Sequence, residues 1–157
     1  MTPWHAALAA LAICAAGAAL EGLCAGPGVR ERLAALRLPR FAPPFAAWMV
    51  IGGLYYVICF AVLYRLLRGG LGSGARQVAL TLAVLLLVGN AGWNHFFFRR
   101  RDLRASMLYN VAYAGVAVAF AVSLFRADAM AGWIFLPYLV YLVYGSWWGY
   151  ALWRLNG

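Results

Sequence analysis

The chain alternates between long apolar stretches and short connections that are polar, rich in arginine, or marked by proline and glycine. A helix of roughly 20 apolar residues crosses a bilayer core about 30 Å thick, and each stretch is long enough for this. Glu21 is the only acidic residue within these stretches. We therefore expect an all-α integral membrane protein, a single domain over residues 1–157 that forms a bundle of five transmembrane helices. The predicted spans are about 3–26, 45–66, 77–98, 105–125 and 130–153.

The connection between the first two spans has a pattern of its own. Val29, Leu33 and Leu36 recur at helical spacing, and the charged residues around them fall at other positions. This favours a short amphipathic helix that lies on the membrane or across the bundle. An irregular basic loop fits the same pattern equally well.

Composition agrees with the membrane interpretation. Hydrophobic residues make up 66% of the chain and charged residues 11%, and the mean hydropathy is +0.81. Soluble domains are about 45–50% apolar and about 25% charged. A soluble enzyme, a disulfide-stapled secreted domain and a disordered tail are therefore excluded.

The charged residues are strongly biased towards arginine. There are 13 basic residues, all of them arginine, against 4 acidic ones, and they stand at the ends of the apolar stretches. Their place favours contact with a lipid bilayer and not with nucleic acid. Nine arginines fall on one side of the predicted bundle and four on the other. The N-terminus is therefore expected outside and the C-terminus in the cytoplasm, as in a bacterial inner membrane.

Few polar side chains lie inside the spans, and such groups are costly there and often functional. They include Glu21, Asn90, Asn94 and His95. Glu21 could bind a cation, as in small proton-coupled exporters, or lie at the interface as a satisfied structural group. No catalytic triad, paired carboxylates or phosphate-binding glycine loop appears, and the three cysteines stand apart. We expect neither a catalytic residue nor a metal site.

The fifth span carries a stripe of aromatic residues. Tyr138, Tyr141, Tyr144 and Trp148 follow one another at spacings of three or four, deeper than an interfacial belt requires. Such a stripe indicates either the core of the bundle or a slot for a flat apolar ligand, since aromatic faces stack on rings.

Gly145 and Gly149 form a G-x-x-x-G pattern in the same span. This pattern permits close helix contact, either at the seam of a homodimer or within one bundle.

Several short strings are similar to those of a known family. Pro43 and Pro44 precede the second span, Asn90 begins N-x-x-W-x-x-x-F-F, Asp128 begins D-x-x-A-G-x-x-F-x-P-Y-L, and Arg154 begins R-L-N. In this order, over nearly the whole chain, they resemble the TspO/MBR family of tryptophan-rich sensory and translocator proteins.

The resemblance implies a five-helix bundle, often dimeric, with a ligand pocket that opens towards the first connection. It implies binding of porphyrins or sterol-like lipids, in transport, sensing or light-dependent porphyrin breakdown. Trp48 stands near a place, and Tyr141 at a place, where the family has a tryptophan, and other family tryptophans are missing. Because the family's tryptophans are linked to porphyrin breakdown, we expect no enzymatic activity. Asn90, Trp93 and Phe97 are expected to share one helix face. The residues at matching pocket positions are Tyr56, Asn90, Trp93, Phe97, Pro137 and Tyr138.

Arg37 and Arg40, in the first connection, are expected at the mouth of this pocket. Guanidinium groups there suit the propionates of a porphyrin.

The sequence thus predicts a membrane binding protein, sensor or transporter for a flat hydrophobic ligand, a porphyrin or a sterol-like lipid. It requires no cofactor; a haem-type tetrapyrrole would be its ligand. The alternative is a non-catalytic accessory subunit of a larger membrane complex, such as a photosynthetic one. A third interpretation, a cation exporter that uses Glu21, fits five spans poorly.

Overall fold

The structure is a computed structural model and describes residues 1–70 and 72–157. Within those residues it is all-helical, with five helices that are long and apolar enough to cross a membrane, which confirms the predicted fold class. After α4 the chain continues as a π-helical turn, His95–Arg99. The helices are α1 Pro3–Ala25, α2 Val29–Ala34, α3 Phe45–Arg68, α4 Gly74–Asn94, α5 Leu103–Ala127 and α6 Ala129–Asn156.

The five long helices form a closed ring. Helix α1 packs against α3 and α4, α3 against α6, α6 against α5, and α5 against α4. Large apolar side chains outside this ring are exposed, as expected of a surface that faces lipid; Val140 and Val143 on α6 are 65% and 74% exposed.

Small residues allow α1 to approach its neighbours closely. Ala6, Ala10, Cys14 and Gly17 are its buried positions along one stripe. A Cβ atom on Gly17 would lie 3.1 Å from Leu87 Cδ2 of α4, so a larger residue would need that leucine to shift. Close approach through small residues is how membrane helices gain packing contacts without a hydrophobic driving force.

A single residue, Asp128, separates α5 from α6. Its carboxylate accepts a hydrogen bond from the Ala131 amide at 3.2 Å and so caps α6. It also forms an ion pair with Arg65 of α3 at 3.0 Å. Gly132 belongs to the same turn, because a Cβ there would lie 2.9 Å from the Phe125 ring. The D-x-x-A-G string therefore encodes a helix cap and a tight turn.

The Asp128 carboxyl lies between two spans, and its pKa is lowered. Burial would raise the pKa, but hydrogen bonds from Arg65 and from backbone amides outweigh it and hold the pKa of Asp128 below its usual range. The pair therefore stays ionised down to acidic pH.

Candidate functional site

Four aromatic side chains from three helices meet at one end of the bundle. We call Trp48 of α3, Trp93 of α4, Phe97 of the π-helical turn and Trp148 of α6 the aromatic cluster. Ring centroids are 4.8 Å apart for Trp48 and Trp148, 4.9 Å for Trp93 and Phe97, and 5.6 Å for Phe97 and Trp148. The cluster offers several flat apolar faces, which suit stacking on a ring system.

The first connection, residues 26–44, covers the aromatic cluster. It contains the predicted short helix, and Leu33, Leu36 and Ala42 pack against the cluster. The amphipathic pattern is thereby confirmed, with its apolar side turned onto the bundle. A ligand that enters the cluster from this end would displace the connection.

Side chains of α6 hold the first connection in place through its backbone. The Arg37 amide donates to Asn156 Oδ1 at 2.8 Å, and Asn156 Nδ2 donates to the Arg37 carbonyl at 3.0 Å. The Tyr144 hydroxyl donates to the Phe41 carbonyl at 2.9 Å. The asparagine of the R-L-N string therefore acts on the segment that covers the cluster.

Trp148 brings an unused hydrogen-bond donor into the aromatic cluster. Its side chain is 3% exposed, and within the described residues its indole Nε1 has no hydrogen-bond partner. Buried indole N–H groups usually find an acceptor. The cluster can therefore donate one hydrogen bond to a polar atom of a bound molecule.

A second group of side chains, the polar cluster, joins α1, α3 and α4. The Glu21 carboxylate accepts hydrogen bonds from the Tyr56 hydroxyl at 2.6 Å, from Asn90 Nδ2 at 2.8 Å and from Asn94 Nδ2 at 3.2 Å. These bonds compensate the cost of a carboxylate in an apolar bundle. Sequence reasoning singled out Glu21 and both asparagines separately and did not join them. Their rarity in apolar spans was the available signal, since such groups tend to contact each other.

Tyrosines form a continuous row along α6. The ring centroids of Tyr138 and Tyr141 are 6.0 Å apart, and those of Tyr141 and Tyr144 are 6.3 Å apart. Tyr138 is buried in the main core, and its hydroxyl shares a 2.7 Å hydrogen bond with that of Tyr113. The stripe therefore runs from the core at Tyr138 to the first connection at Tyr144.

The predicted pocket residues fall into separate groups. Trp48, Trp93 and Phe97 lie in the aromatic cluster, whereas Tyr56 and Asn90 bond to Glu21. Asn90, Trp93 and Phe97, which were expected to share one helix face, therefore contact different helices: Asn90 contacts α1, whereas Trp93 and Phe97 belong to the cluster that α6 completes.

Three other predicted pocket positions lie away from both clusters. Pro137 has an exposed side chain on α6 and belongs to neither of the clusters. Arg37 and Arg40 are exposed on the first connection, the segment that covers the aromatic cluster.

The proposed dimer seam points away from the bundle. A Cβ atom added to Gly145 or Gly149 would meet nothing within 4 Å. Neither glycine is therefore required for close packing within the described part of the bundle.

Comparison with known proteins shows a family and a curated protein to which the chain is similar. The TspO/MBR family matches residues 10–154. The translocator protein of Sus scrofa is 30% identical over 125 residues, which cover 78% of this chain and 73% of that protein.

Proposed function

This chain belongs to the TspO/MBR family, and on that premise we propose that it binds a flat hydrophobic ligand in the aromatic cluster. A tetrapyrrole such as a porphyrin is the ligand we favour, and a sterol-like lipid is the alternative within the same class. The observation that carries the proposal is the set of stacked rings beneath a segment held by a few hydrogen bonds.

Ligand entry would require the first connection to move. The rings of Trp48, Phe97 and Trp148 contact one another, so a bound ring system must separate them. Each hydrogen bond between α6 and the connection contributes about 0.5–1.5 kcal/mol net, which thermal motion overcomes readily. Opening would expose the indole N–H of Trp148 to a polar atom of the ligand.

The polar cluster would act by positioning helices. Tyr56 and Asn90 are engaged with Glu21, and they would contact a ligand only after exchanging that carboxylate for a ligand atom. While these bonds are made, they fix α3 and α4 relative to α1, and α4 carries Trp93.

The exposed arginines of the first connection would bind the acidic groups of a porphyrin. Arg37 and Arg40 lie on the segment that must move, so their guanidinium groups would meet propionates at the entrance. We propose that the N-terminus lies outside and the C-terminus in the cytoplasm, because nine arginines fall on one side of the bundle and four on the other, and that the membrane is a bacterial inner membrane. The porphyrin would be the ligand or cargo of the protein and not a required cofactor.

Purification in a mild uncharged detergent tests this proposal. Absorption and mass spectra of the full chain would reveal a co-purified ligand; a Soret band supports a porphyrin, and a weaker band in Trp93→Ala supports its place in the aromatic cluster. The expression host should be supplied with a porphyrin precursor so that the ligand is available. A protein that takes up no porphyrin and no sterol under these conditions contradicts the proposal.

An accessory subunit of a larger membrane complex is the second candidate function. It is favoured by Gly145 and Gly149, whose outward faces leave room for another helix, beside the exposed Trp147. Co-purification with other membrane subunits at a fixed ratio would support it, whereas a homodimer alone would favour the ligand-binding proposal.

A further inference from the structure

An open cavity of about 590 Å³ lies where α2, the start of α5 and the end of α6 meet. It stands at the ends of membrane-spanning helices, outside the aromatic cluster. Three arginines line it: Arg32, Arg101 and Arg104. Trp153 provides an aromatic wall, as is common where a helix leaves the bilayer.

Two of these arginines are held next to each other. A guanidinium nitrogen of Arg32 donates to the Arg101 carbonyl at 3.2 Å. Arg101 has a positive φ of 57°, a conformation that non-glycine residues seldom adopt. Burial and the adjacent positive charge of Arg101 lower the pKa of Arg32, as expected of like charges without an anion between them.

Arg32 has a hydrogen-bond donor without an acceptor among residues 1–70 and 72–157. Arg32 Nε is buried, and within the described residues it has no hydrogen-bond partner. The ion pair found in the described part of the chain is Arg65 with Asp128, which lies at the opposite end of the bundle. Asp102 also lines the cavity, but its carboxylate accepts from the Ala105 amide at 2.8 Å and caps α5.

We propose that this cavity binds a phosphate group. Guanidinium groups present planar forks of donors that match phosphate oxygens; three of them line this cavity, and the buried Arg32 Nε has no partner within the described residues. The phosphate would come either from the headgroup of an anionic phospholipid at the membrane surface or from a soluble phosphate compound. The phosphate site uses arginine and aromatic side chains other than those of the proposed porphyrin site, but Arg32 and Leu36 belong to the first connection, so opening of that segment would change both sites.

Lipid retention in an uncharged detergent tests whether the phosphate comes from a phospholipid headgroup. Native mass spectrometry of the full chain would compare dioleoylphosphatidylglycerol with dioleoylphosphatidylcholine. We expect the wild type to prefer the anionic lipid roughly tenfold, since both headgroups carry a phosphate but phosphatidylcholine adds a choline cation that the arginines repel. Arg104→Ala and Arg32→Gln should remove most of that preference. Arg154→Ala is the matched control, because Arg154 is exposed near the same end of α6 but does not line the cavity.

Inorganic phosphate titrated by calorimetry tests the second source with the same variants. Phosphate binding that Arg104→Ala abolishes identifies a soluble ligand, and lipid preference without phosphate binding identifies a headgroup; both support the proposal. Arg32→Gln decides if Arg104→Ala does not fold, as judged by thermal unfolding. The proposal is overturned if neither probe binds selectively, or if Arg154→Ala weakens binding as much as the cavity variants.

Discussion

The Tyr56 hydroxyl donates a hydrogen bond of 2.6 Å to the Glu21 carboxylate, and this contact joins α3 to α1. Asn90 and Asn94 donate to the same carboxylate from α4, so one acidic side chain connects three helices. In an apolar bundle such a group stabilises only while its partners are present, because unpaired buried donors are costly.

Glu21→Ala should therefore destabilise the bundle. It leaves three donors without their acceptor, and we expect a loss of about 1–3 kcal/mol or more. Glu21→Gln should cost less, because its carbonyl oxygen still accepts. Tyr56→Phe, which removes one donor, should cost about 0.5–1.5 kcal/mol. Unfolding monitored by circular dichroism in detergent measures these changes, and equal stability of Glu21→Ala and wild type would contradict the role of the carboxylate.

Asn156→Ala should loosen the first connection. It removes both hydrogen bonds to the Arg37 backbone, at about 0.5–1.5 kcal/mol each, so the open state should become about fivefold to 150-fold more populated. Trypsin cleavage within residues 26–44 should accelerate accordingly. Asn110→Ala is the control, because Asn110 bonds to Ser146 between α5 and α6 and does not touch the connection. Identical cleavage rates in wild type and Asn156→Ala would show that Asn156 does not hold the segment.

The ion pair of Asp128 and Arg65 should contribute a pH-dependent stabilisation. The folded-state pKa of Asp128 lies below the ordinary value of 3.8, so the stabilisation is complete above that value and is lost as the pH falls through the folded-state pKa. Asp128→Asn keeps a good helix cap and removes the charge. At neutral pH it should cost about 0.2–1 kcal/mol, since the pair is partly exposed.

Unfolding of wild type and Asp128→Asn at a series of pH values measures this effect. The difference between the two proteins should shrink as the pH falls below about 4. A difference that is constant from neutral to acidic pH would mean that the charge of Asp128 does not contribute.

Gly149→Leu should disrupt self-association and leave the bundle intact. A side chain at this position meets open space in the described chain, so the variant should insert and fold normally. If Gly149 lies at a homodimer seam, crosslinking in membranes should shift from dimer to monomer. Gly52→Leu, which also meets open space but on α3, is the control. A crosslinking pattern unaffected by Gly149→Leu would place the seam elsewhere.

The helices could be predicted from the sequence because each span is long, apolar and ended by charge, proline or glycine. The spacing of Val29, Leu33 and Leu36 fitted a short helix and an irregular loop equally well, and the structure has the helix, at Val29–Ala34. Both features depend on local pattern, which the sequence shows directly.

The composition of the site could be predicted only in part. Trp93 and Phe97 were identified, but the π-helical turn from His95 changes the register after Asn94 and was not visible in the hydrophobic pattern. The contacts of Glu21 and the unused indole N–H of Trp148 depend on the relative depth and rotation of separate helices. Periodicity along one helix does not specify these quantities. It also did not predict that Pro137 is exposed.

Porphyrin binding to the full chain tests the central claim most directly. Protoporphyrin IX titrated into the protein in uncharged detergent should quench tryptophan fluorescence at micromolar concentration. Trp93→Ala should bind about twofold to tenfold more weakly or worse, because a lost ring contact contributes about 0.5–1.5 kcal/mol beyond the area it buries. Trp4→Ala, at a tryptophan that is 70% exposed near the N-terminus, should bind as the wild type does. No binding by the wild type, or the same affinity for Trp93→Ala and wild type, would contradict ligand binding in the aromatic cluster.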